Sequence, residues 1–409
     1  MFNLIPYQNK NKLFIFLNFF LILTFFYFVI DNSFYFFNKI LFQDNNKHFY
    51  DLKMVHNSLI GLINNIDIYE IKYPFHENPK SAYPPYTFEL LKNLGKLDWE
   101  VFLKYFIFLQ ILSFFLLFYY SYKLFPLEKI KYLYPIIYFF CLNFSIGLGG
   151  TVTGNIAVIL YALLAVGFIQ LFNKKTIFFN FVILIISLFK FYFLIFYFFP
   201  IFLYGFREIK KIIFFISLFI LINYFYYVFQ PELYLSWLEY VNIQTSRSNL
   251  NPWVGTDITQ SLLSLSSIIS SFFNIDYHLN SIMLNLFYFF TFSTTLFCVF
   301  FIYSPIFIKK KSKKIRLKLL SIAILAMHVV YPRLLPFDFF LIIPVYFFLV
   351  SEVIFSKNKN KNFGMKFILF FIFLCVQDSQ IGLLSISLLF FIICFLEFKK
   401  KDPLSIIKS

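Results

Sequence analysis

The amino-acid sequence predicts an all-α polytopic membrane protein, and three observations predict it. Of the 409 residues, 60% are apolar and 14% are charged, whereas soluble domains are about 45–50% apolar. The apolar residues fall into runs long enough to cross a bilayer as helices. The basic residues collect in alternate connections between these runs, as they do in proteins that sort Lys and Arg to the cytoplasm. These observations exclude a soluble globular domain.

A helix that spans a bilayer needs about 17 to 25 apolar residues. Runs of this kind cover 13–30, 101–122, 132–149, 152–172, 212–229, 282–308, 337–355 and 381–397. Shorter or interrupted apolar stretches cover 176–205, 317–330 and 365–377. Lys190 lies in the middle of 176–205, and we interpret that stretch as two short helices that meet near Lys190. The total is about twelve crossings within one integral membrane domain, residues 1–409.

The distribution of charge predicts which side of the membrane each connection faces. With the N-terminus inside, most of the 36 Lys and Arg residues lie in cytoplasmic segments, and most of the 20 acids lie outside. The formal net charge of +16 is therefore an orientation signal, and no nucleic-acid partner is expected. We expect a multi-pass protein of the plasma membrane, the inner membrane of a bacterium, in contact with membrane lipids.

Two predicted extracytoplasmic segments, 31–100 and 230–280, are too long to be simple turns. Connections of this length are usually functional or disordered. Within the first, 49–65 is typical of an amphipathic helix that can lie on a membrane surface. Its apolar residues are spaced by three or four, at Phe49, Leu52, Val55, Leu59 and Leu62.

Several classes of chemistry find no support in the residues. The four cysteines lie inside apolar runs and are interpreted as small buried hydrophobes; they are Cys141, Cys298, Cys375 and Cys394. The sequence has no Gly-x-x-x-x-Gly-Lys loop, no His-Glu-x-x-His pair and no paired Cys-x-x-Cys. Nucleotide hydrolysis and zinc chemistry are therefore unsupported, and we expect neither a metal nor a cofactor.

Asp51 is the acid of the first loop that is the best candidate for chemistry. It lies in the predicted amphipathic helix, next to Tyr50, and His48 lies three residues earlier on the same face. A carboxylate held at the edge of an apolar membrane protein can be desolvated enough to act as a general base. The alternative is that Asp51 is one more solvated acid on a polar face.

The motif Tyr83-Pro84-Pro85 precedes the second predicted span. Two consecutive prolines cannot occupy a helix interior, so they hold the chain extended and rigid where it joins a helix. The motif is a candidate wall of a substrate groove. A plain junction between a loop and a helix is the alternative.

Few cations are expected on the outer side, which makes them informative. Lys190 lies at the tip of an apolar hairpin, Arg247 lies in the second large loop, and Arg333 follows a proline where a helix ends. An ionisable residue at membrane depth is costly and is a functional candidate. Phosphate suits such groups, because Arg clamps it bidentately and Lys meets it as a point charge. The alternatives are that each cation reaches lipid headgroups, and that Asp338 simply pairs with Arg333.

The residues of the first loop resemble those of glycosyltransferase family 87. In that family an Asp opens a helix, a Tyr closes the segment eighteen residues later, and a Tyr-Pro-Pro motif leads into the next span. Asp51, Tyr69 and Tyr83-Pro84-Pro85 match this pattern. Later stretches are similar to further motifs of the family, namely Gly154-Asn155, Lys190, Thr259-Gln260-Ser261 and Pro332-Arg333 with Asp338.

The resemblance implies a GT-C type fold and an enzyme of the hexosyltransferase class. Such an enzyme moves a sugar, often mannose, from a polyprenyl-phosphate donor to a lipid or glycan acceptor of the cell envelope. Transfer occurs on the extracytoplasmic side, with inversion and without a metal. On this interpretation Asp51 is the catalytic base, and the donor phosphate is bound by Lys190, Arg333 and Arg247. The substrate groove is formed by His48, Tyr69, Tyr83, Pro84, Pro85, Asn155, Gln260 and Asp338.

Two other classes of protein stay open. A flippase or transporter of lipid-linked sugars tends towards internal repeats and broken helices in matched halves, and the sequence has no evident repeat. A non-catalytic membrane scaffold is the third class. Release of polyprenyl phosphate from a lipid-linked sugar separates an enzyme from both.

Overall fold

The computed structural model describes residues 49–69, 83–125, 154–248, 289–290, 293–295, 313–329, 341–354 and 389–394. Within these ranges the regular elements are helices, and there is no strand. The helices are α1 (Tyr50–Ile63), α2 (Pro85–Leu91), α3 (Trp99–Leu124), α4 (Ala157–Phe172), α5 (Thr176–Phe189), α6 (Phe198–Tyr204), α7 (Ile209–Phe229), α8 (Pro231–Ser248), α9 (Lys313–Val329) and α10 (Ile342–Ile354). Short 3-10 segments cover Lys92–Lys96, Phe191–Tyr197 and Phe206–Glu208. The predicted all-α class is confirmed for this part of the chain.

Among the described residues, two helical stretches are long and apolar enough, by length and composition, to cross a membrane. They are Trp99–Leu124, with 26 residues, and Phe206–Phe229, with 24. At about 1.5 Å per residue both exceed a hydrocarbon core of about 30 Å. In the most apolar 18 residues of the second stretch, only 11% are buried. Its last residue, Phe229, is 77% exposed. Large apolar surfaces that face outwards are consistent with an all-α membrane protein. The predicted twelve crossings and the GT-C type fold stay predictions.

Predicted spans coincide with helices where the structure describes them. Runs 101–122, 212–229, 317–330 and 337–355 correspond to α3, α7, α9 and α10. The helix expected over 152–172 begins later, at Ala157, because the chain first turns at Gly154, where φ is 72°. Runs 13–30, 132–149 and 365–377 lie outside the described residues, and 282–308 and 381–397 are described only in part.

The stretch 176–205 forms a hairpin whose two arms meet at Lys190, which confirms the prediction of two short helices. Lys190 is extended, with φ −142° and ψ 103°, and it separates α5 from the 3-10 segment that leads into α6. The hydroxyl of Tyr204, at the end of α6, donates a hydrogen bond to the backbone carbonyl of Leu171, near the end of α4. The base of the hairpin therefore lies beside the end of α4, and its tip lies at the opposite end.

Because α4 and α5 are antiparallel, the described bundle has two chemically different ends. The first, which we call the Asp51 end, holds the start of α4, the tip of the hairpin at Lys190 and the helices α1 and α2. The second, the Lys174 end, holds the turn between α4 and α5 and the start of α7, where Lys211 Nζ donates to Thr176 Oγ1 over 3.0 Å. A helix of 16 residues separates the two ends by about 24 Å.

Helix α4 is the centre of the described bundle and packs between α3 and α5. A small residue brings α5 close, since a Cβ on Gly167 would lie 3.3 Å from the ring of Phe179. Phe168 lies in an aromatic cluster, with its ring centroid 5.2 Å from that of Phe199 and 5.7 Å from that of Phe179. In lipid, such van der Waals packing drives helices together, because lipid tails are as apolar as the side chains they would replace.

The two long connections predicted to be extracytoplasmic contact each other. Tyr69 of the first stacks on Tyr240 of the second, with ring centroids 6.4 Å apart. Gln230 Nε2 donates to Glu89 Oε1 over 3.4 Å. The second connection begins with α8, which the pattern of apolar runs does not predict. Pro231 at its first position is the signal that could have predicted it.

Candidate active site

Helix α1 carries Asp51 in its first turn. The chain arrives from Phe49, which is left-handed with φ 59° and ψ 30°. The apolar stripe predicted for this helix exists, but it is buried inside the protein, with Leu52 1% and Leu59 0% exposed. This stripe therefore packs against other parts of the chain instead of lying on a membrane surface. Asp51 is half-buried at the edge of the packed face.

Gly154 allows α1 to approach the start of α4. Its φ of 72° is in the left-handed region that glycine adopts without strain. A Cβ at this position would lie 2.7 Å from Cβ of Leu52 and 3.0 Å from Cδ1 of Phe49. Any larger residue would therefore push α1 away, and the first turn of α1 would no longer meet the start of α4.

Asn155 joins a carboxylate to an ammonium. Its Nδ2 donates to Oδ2 of Asp51 over 3.0 Å, and its Oδ1 lies 3.3 Å from Nζ of Lys190, which donates to it. The same Oδ1 accepts from the backbone N–H of Ala157 over 2.9 Å. Two donors on Oδ1 determine which way the amide points, so its NH₂ group faces Asp51. This assignment also satisfies one of the unpaired N–H groups at the start of α4.

Lys190 is half-buried at the tip of the hairpin, where the extended backbone interrupts the helix. Its Nζ lies 5.8 Å from the ring centroid of Tyr83 and 5.7 Å from that of Tyr192. The negative faces of aromatic rings attract a cation at such distances. Two rings and one amide oxygen therefore hold the ammonium in place. We call Asp51, Asn155, Lys190 and Tyr83 the Asp51 cluster.

Tyr83 and Tyr69 form the buried back of the cluster. The hydroxyl of Tyr69 donates to the backbone carbonyl of Tyr83 over 2.8 Å. Burial raises the pKa of the Tyr83 phenol, and the charge of Asp51 raises it further. Burial also raises the pKa of Tyr69. With pKa values raised above their usual range, both phenols keep their protons at neutral pH.

The two prolines behave as predicted. Pro84 is extended, with φ −61° and ψ 150°, and Pro85 is the first residue of α2. Two residues later, Thr87 Oγ1 donates to the backbone carbonyl of Leu188 over 2.6 Å. That carbonyl belongs to the last turn of α5, where the helix leaves carbonyls without helical partners. The Tyr-Pro-Pro segment is therefore attached to the helix that ends at Lys190.

The structure brings together four of the residues predicted for the site, and they form the Asp51 cluster. Tyr69, Pro84 and Pro85 are buried behind it. The backbone of Arg247 belongs to α8, but its side chain is outside the described part of the structure. His48, Gln260, Arg333 and Asp338 lie outside the described residues.

Tyr192 and Thr87 are site residues that the sequence does not single out. Tyr192 follows Lys190 by two positions, and its ring centroid lies 5.7 Å from the ammonium. That proximity is the one local signal available. Thr87 contacts a carbonyl 101 positions away, and no local pattern indicates such a contact.

An apolar groove of about 480 Å³ is lined by chain neighbours of the cluster residues and by none of the four cluster residues themselves. One of its walls is Phe191, the residue that follows Lys190, and another is Tyr86 of α2. Further along, Trp237 lines it, and the amide of Asn223 accepts a hydrogen bond from Tyr234 over 3.3 Å. The groove combines a mainly aromatic lining with a few polar groups, which is typical of sites for partly apolar ligands.

The described residues contain no group of three or more His, Cys, Asp or Glu side chains that could hold a metal ion. The chemistry available at the cluster is that of a half-buried carboxylate and a fixed cation, joined by an amide. The residue after the cation, Phe191, lines an apolar groove. The chain matches no protein-family model, and neither the curated proteins nor the solved structures contain a significant match.

Proposed function

We propose that the chain is a membrane glycosyltransferase. It would move a hexosyl group, most often mannosyl in the family that the sequence resembles, from a polyprenyl-phosphate donor to a hydroxyl of a lipid or glycan acceptor. The observation that carries the proposal is the contact of Asp51, Asn155 and Lys190, with the apolar groove lined by the residue after Lys190. Transfer of a sugar from a phosphate needs a base for the attacking hydroxyl and a cation for the leaving phosphate.

In the proposed reaction the acceptor oxygen attacks the anomeric carbon while its proton passes to Asp51. The bond between the anomeric carbon and the phosphate oxygen breaks, the oxygen keeps the electron pair, and polyprenyl phosphate leaves. The new bond forms on the opposite face of the sugar, so the configuration inverts. Negative charge grows on the departing phosphate, and the ammonium of Lys190 stabilises it more in the transition state than in the ground state.

Asn155 has a positioning role in this proposal. Its amide contacts both charged groups, and the backbone N–H of Ala157 holds the amide in one orientation. The distance between base and cation is thereby set before a substrate arrives, which is the kind of preorganisation that lowers a barrier.

The groove beside Phe191 would take the isoprenoid tail of the donor. Its lining is mostly apolar, and it begins one residue from the proposed phosphate-binding lysine. A tail in the groove would bring the phosphate to Lys190 and the anomeric carbon towards Asp51. Because the donor is already activated, the proposed reaction needs no cofactor.

The charge distribution supports an extracytoplasmic site. The Lys174 end carries five basic residues and one acid within 174–176 and 206–211, and basic connections stay on the cytoplasmic side. The Asp51 end is at the other end of α4. We therefore propose that the reaction takes place on the outer face of the plasma membrane.

The test uses the purified full-length protein in nanodiscs. Polyprenyl-phosphate hexoses with a labelled sugar, one for each of several hexoses, are added with a lipid extract of the producing cells as acceptor. We expect at least one donor to yield free polyprenyl phosphate and a labelled product. In sealed vesicles, movement of the intact labelled donor across the bilayer without cleavage would instead identify a transporter and refute the proposal.

A further inference from the structure

An open cleft of about 560 Å³ lies at the Lys174 end, remote from the Asp51 cluster. Two chemically different sets of side chains line it. One set is cationic, Lys174, Lys175 and Lys211, and the other is aromatic, Phe178, Phe181 and Phe215. The cleft therefore presents cations directly beside an aromatic surface.

The three lysines that line the cleft outnumber the acidic residues near them. Residues 154–212 contain one acid, Glu208, and its Oε2 accepts from Lys211 over 2.8 Å. Its Oε1 lies 3.8 Å from Nε of Arg207. Lys174 and Lys175 are both exposed, and among the described residues neither has a carboxylate within 4.0 Å. The N-terminus of α5, with its partial positive charge, begins at the same place.

The turn that carries these lysines has a lysine at a position where glycine is usual. The N–H of Lys175 donates to the carbonyl of Gln170, and the N–H of Lys174 donates to that of Leu171, each over 2.9 Å. This pair of hydrogen bonds ends a helix with one left-handed residue, which is usually glycine. Here the left-handed residue is Lys174, with φ 66°. A strained position is thus occupied by a cation that extends towards solvent.

The phenylalanine rings of the cleft expose apolar surface, and contact of this surface with water is unfavourable. Phe178 and Phe181 are three residues apart on α5, and they are 44% and 50% exposed. Phe215 reaches the same surface from α7. A soluble anion would satisfy the lysines and leave these rings uncovered. A ligand with a phosphate at one end and a hydrocarbon chain at the other satisfies both.

We infer that this cleft binds an anionic phospholipid of the adjacent leaflet. The phosphate of the headgroup lies among Lys174, Lys175 and Lys211, and an acyl chain covers Phe178 and Phe181. Basic clefts between helices at the cytoplasmic level suit such headgroups, and each lysine near the surface contributes to the attraction. The bound lipid belongs to the leaflet opposite to the Asp51 end, so the site is separate from the proposed transfer reaction.

The experiment titrates phosphatidylglycerol into the full-length protein in detergent and counts bound lipids by native mass spectrometry, with phosphatidylcholine as the reference lipid. The double variant Lys174→Gln/Lys175→Gln keeps polar side chains of similar size and removes two charges. We expect its affinity for phosphatidylglycerol to fall by about 30-fold, because two of the three lysines that face the headgroup phosphate lose their charge. The double variant Lys96→Gln/Lys104→Gln removes two exposed lysines near the Asp51 end and should bind as the wild type does.

Three outcomes would overturn the inference. Equal affinity of the wild type for phosphatidylglycerol and phosphatidylcholine would remove the role of charge. Equal losses of affinity in the two double variants would show that the lipid is attracted by the positive charge of the protein in general and not by this cleft. Displacement of the lipid by inorganic phosphate at similar concentration would identify a soluble anion as the ligand. As a positive arm, Phe178→Ala/Phe181→Ala should weaken phosphatidylglycerol binding and leave the binding of soluble glycerophosphoglycerol unchanged.

Discussion

The two ends of the α4–α5 pair both present lysines, but they hold them in different ways. At the Asp51 end, Lys190 is enclosed by an amide oxygen and two aromatic rings. At the Lys174 end, Lys174 and Lys175 extend outwards from a turn over exposed phenylalanines. A partly buried cation needs fixed partners from the protein, whereas a cation at the surface is available to partners outside it. The comparison distinguishes the proposed catalytic site from the proposed lipid-binding cleft.

The largest expected effect concerns the side of the membrane that each end faces. Cysteines placed at two exposed positions, Lys96→Cys and Lys175→Cys, report on the Asp51 end and the Lys174 end. In intact cells, a membrane-impermeant maleimide should label only position 96, since basic connections stay inside. Both positions should react once the membrane is opened. Labelling of position 175 alone in intact cells would reverse the orientation and contradict the proposed function.

The next largest effect tests the proposed base. Asp51→Asn keeps size and can still accept from Asn155, but it takes no proton, so the rate of sugar transfer should fall by about 10²–10⁴-fold. Asp98→Asn is the matched control, because Asp98 is exposed and its side chain makes no cap hydrogen bond to α3. The measurement is the rate at which each variant releases polyprenyl phosphate. Equal melting temperatures of the two variants serve as the control that both are folded. Full activity of the Asp51 variant would remove this residue from the mechanism.

A smaller effect is expected for the cation. Lys190→Gln should lower kcat/KM for the donor by about 10²-fold, as the loss of one charge-stabilising group does in other active sites. Lys190→Arg should recover part of this, because a cation remains between the two rings. Lys96→Gln, at the same end of the bundle, should leave the kinetics unchanged. A loss that saturating donor fully restores would indicate binding of the ground state alone.

The smallest effect concerns the packing that forms the cluster. Gly154→Ala should lower the free energy of unfolding by about 1–3 kcal/mol, because alanine is strained at a positive φ and its Cβ would overlap Leu52. Gly167→Ala should cost less, since the φ of Gly167 is helical and its neighbours are side chains at 3.3 Å. Thermal denaturation in detergent gives the comparison. Equal melting temperatures for the two variants would show that Gly154 does not control the approach of α1.

Local patterns in the sequence predict several of the described helices, though not α8, and several members of the candidate site. The stripe of apolar residues predicts α1, and the interruption at Lys190 predicts the break between α5 and the next segment. The prolines before α2 have the extended and helical backbone expected of them. These features depend on residues a few positions apart, where spacing and covalent geometry decide the outcome.

The contacts that turn these residues into a site could not be predicted in the same way. Asn155 meets Asp51 across 104 positions and Lys190 across 35. These contacts exist because Gly154 lets two helices approach, and nothing in the sequence states which helix comes there. The same holds for the burial of the α1 stripe, since a membrane surface and a protein interior require the same apolar face.

The length of α5 limits how far the ammonium of Lys190 can lie from the Lys174 end across a bilayer. Its 14 residues rise about 21 Å, less than the roughly 30 Å of bilayer hydrocarbon. If the lysine-rich turn lies at the inner boundary of the hydrocarbon core, the ammonium at the hairpin tip lies several ångströms short of the outer boundary of that core. A lipid phosphate that meets it must sink below its neighbours, or the outer leaflet must dip towards the protein at that spot.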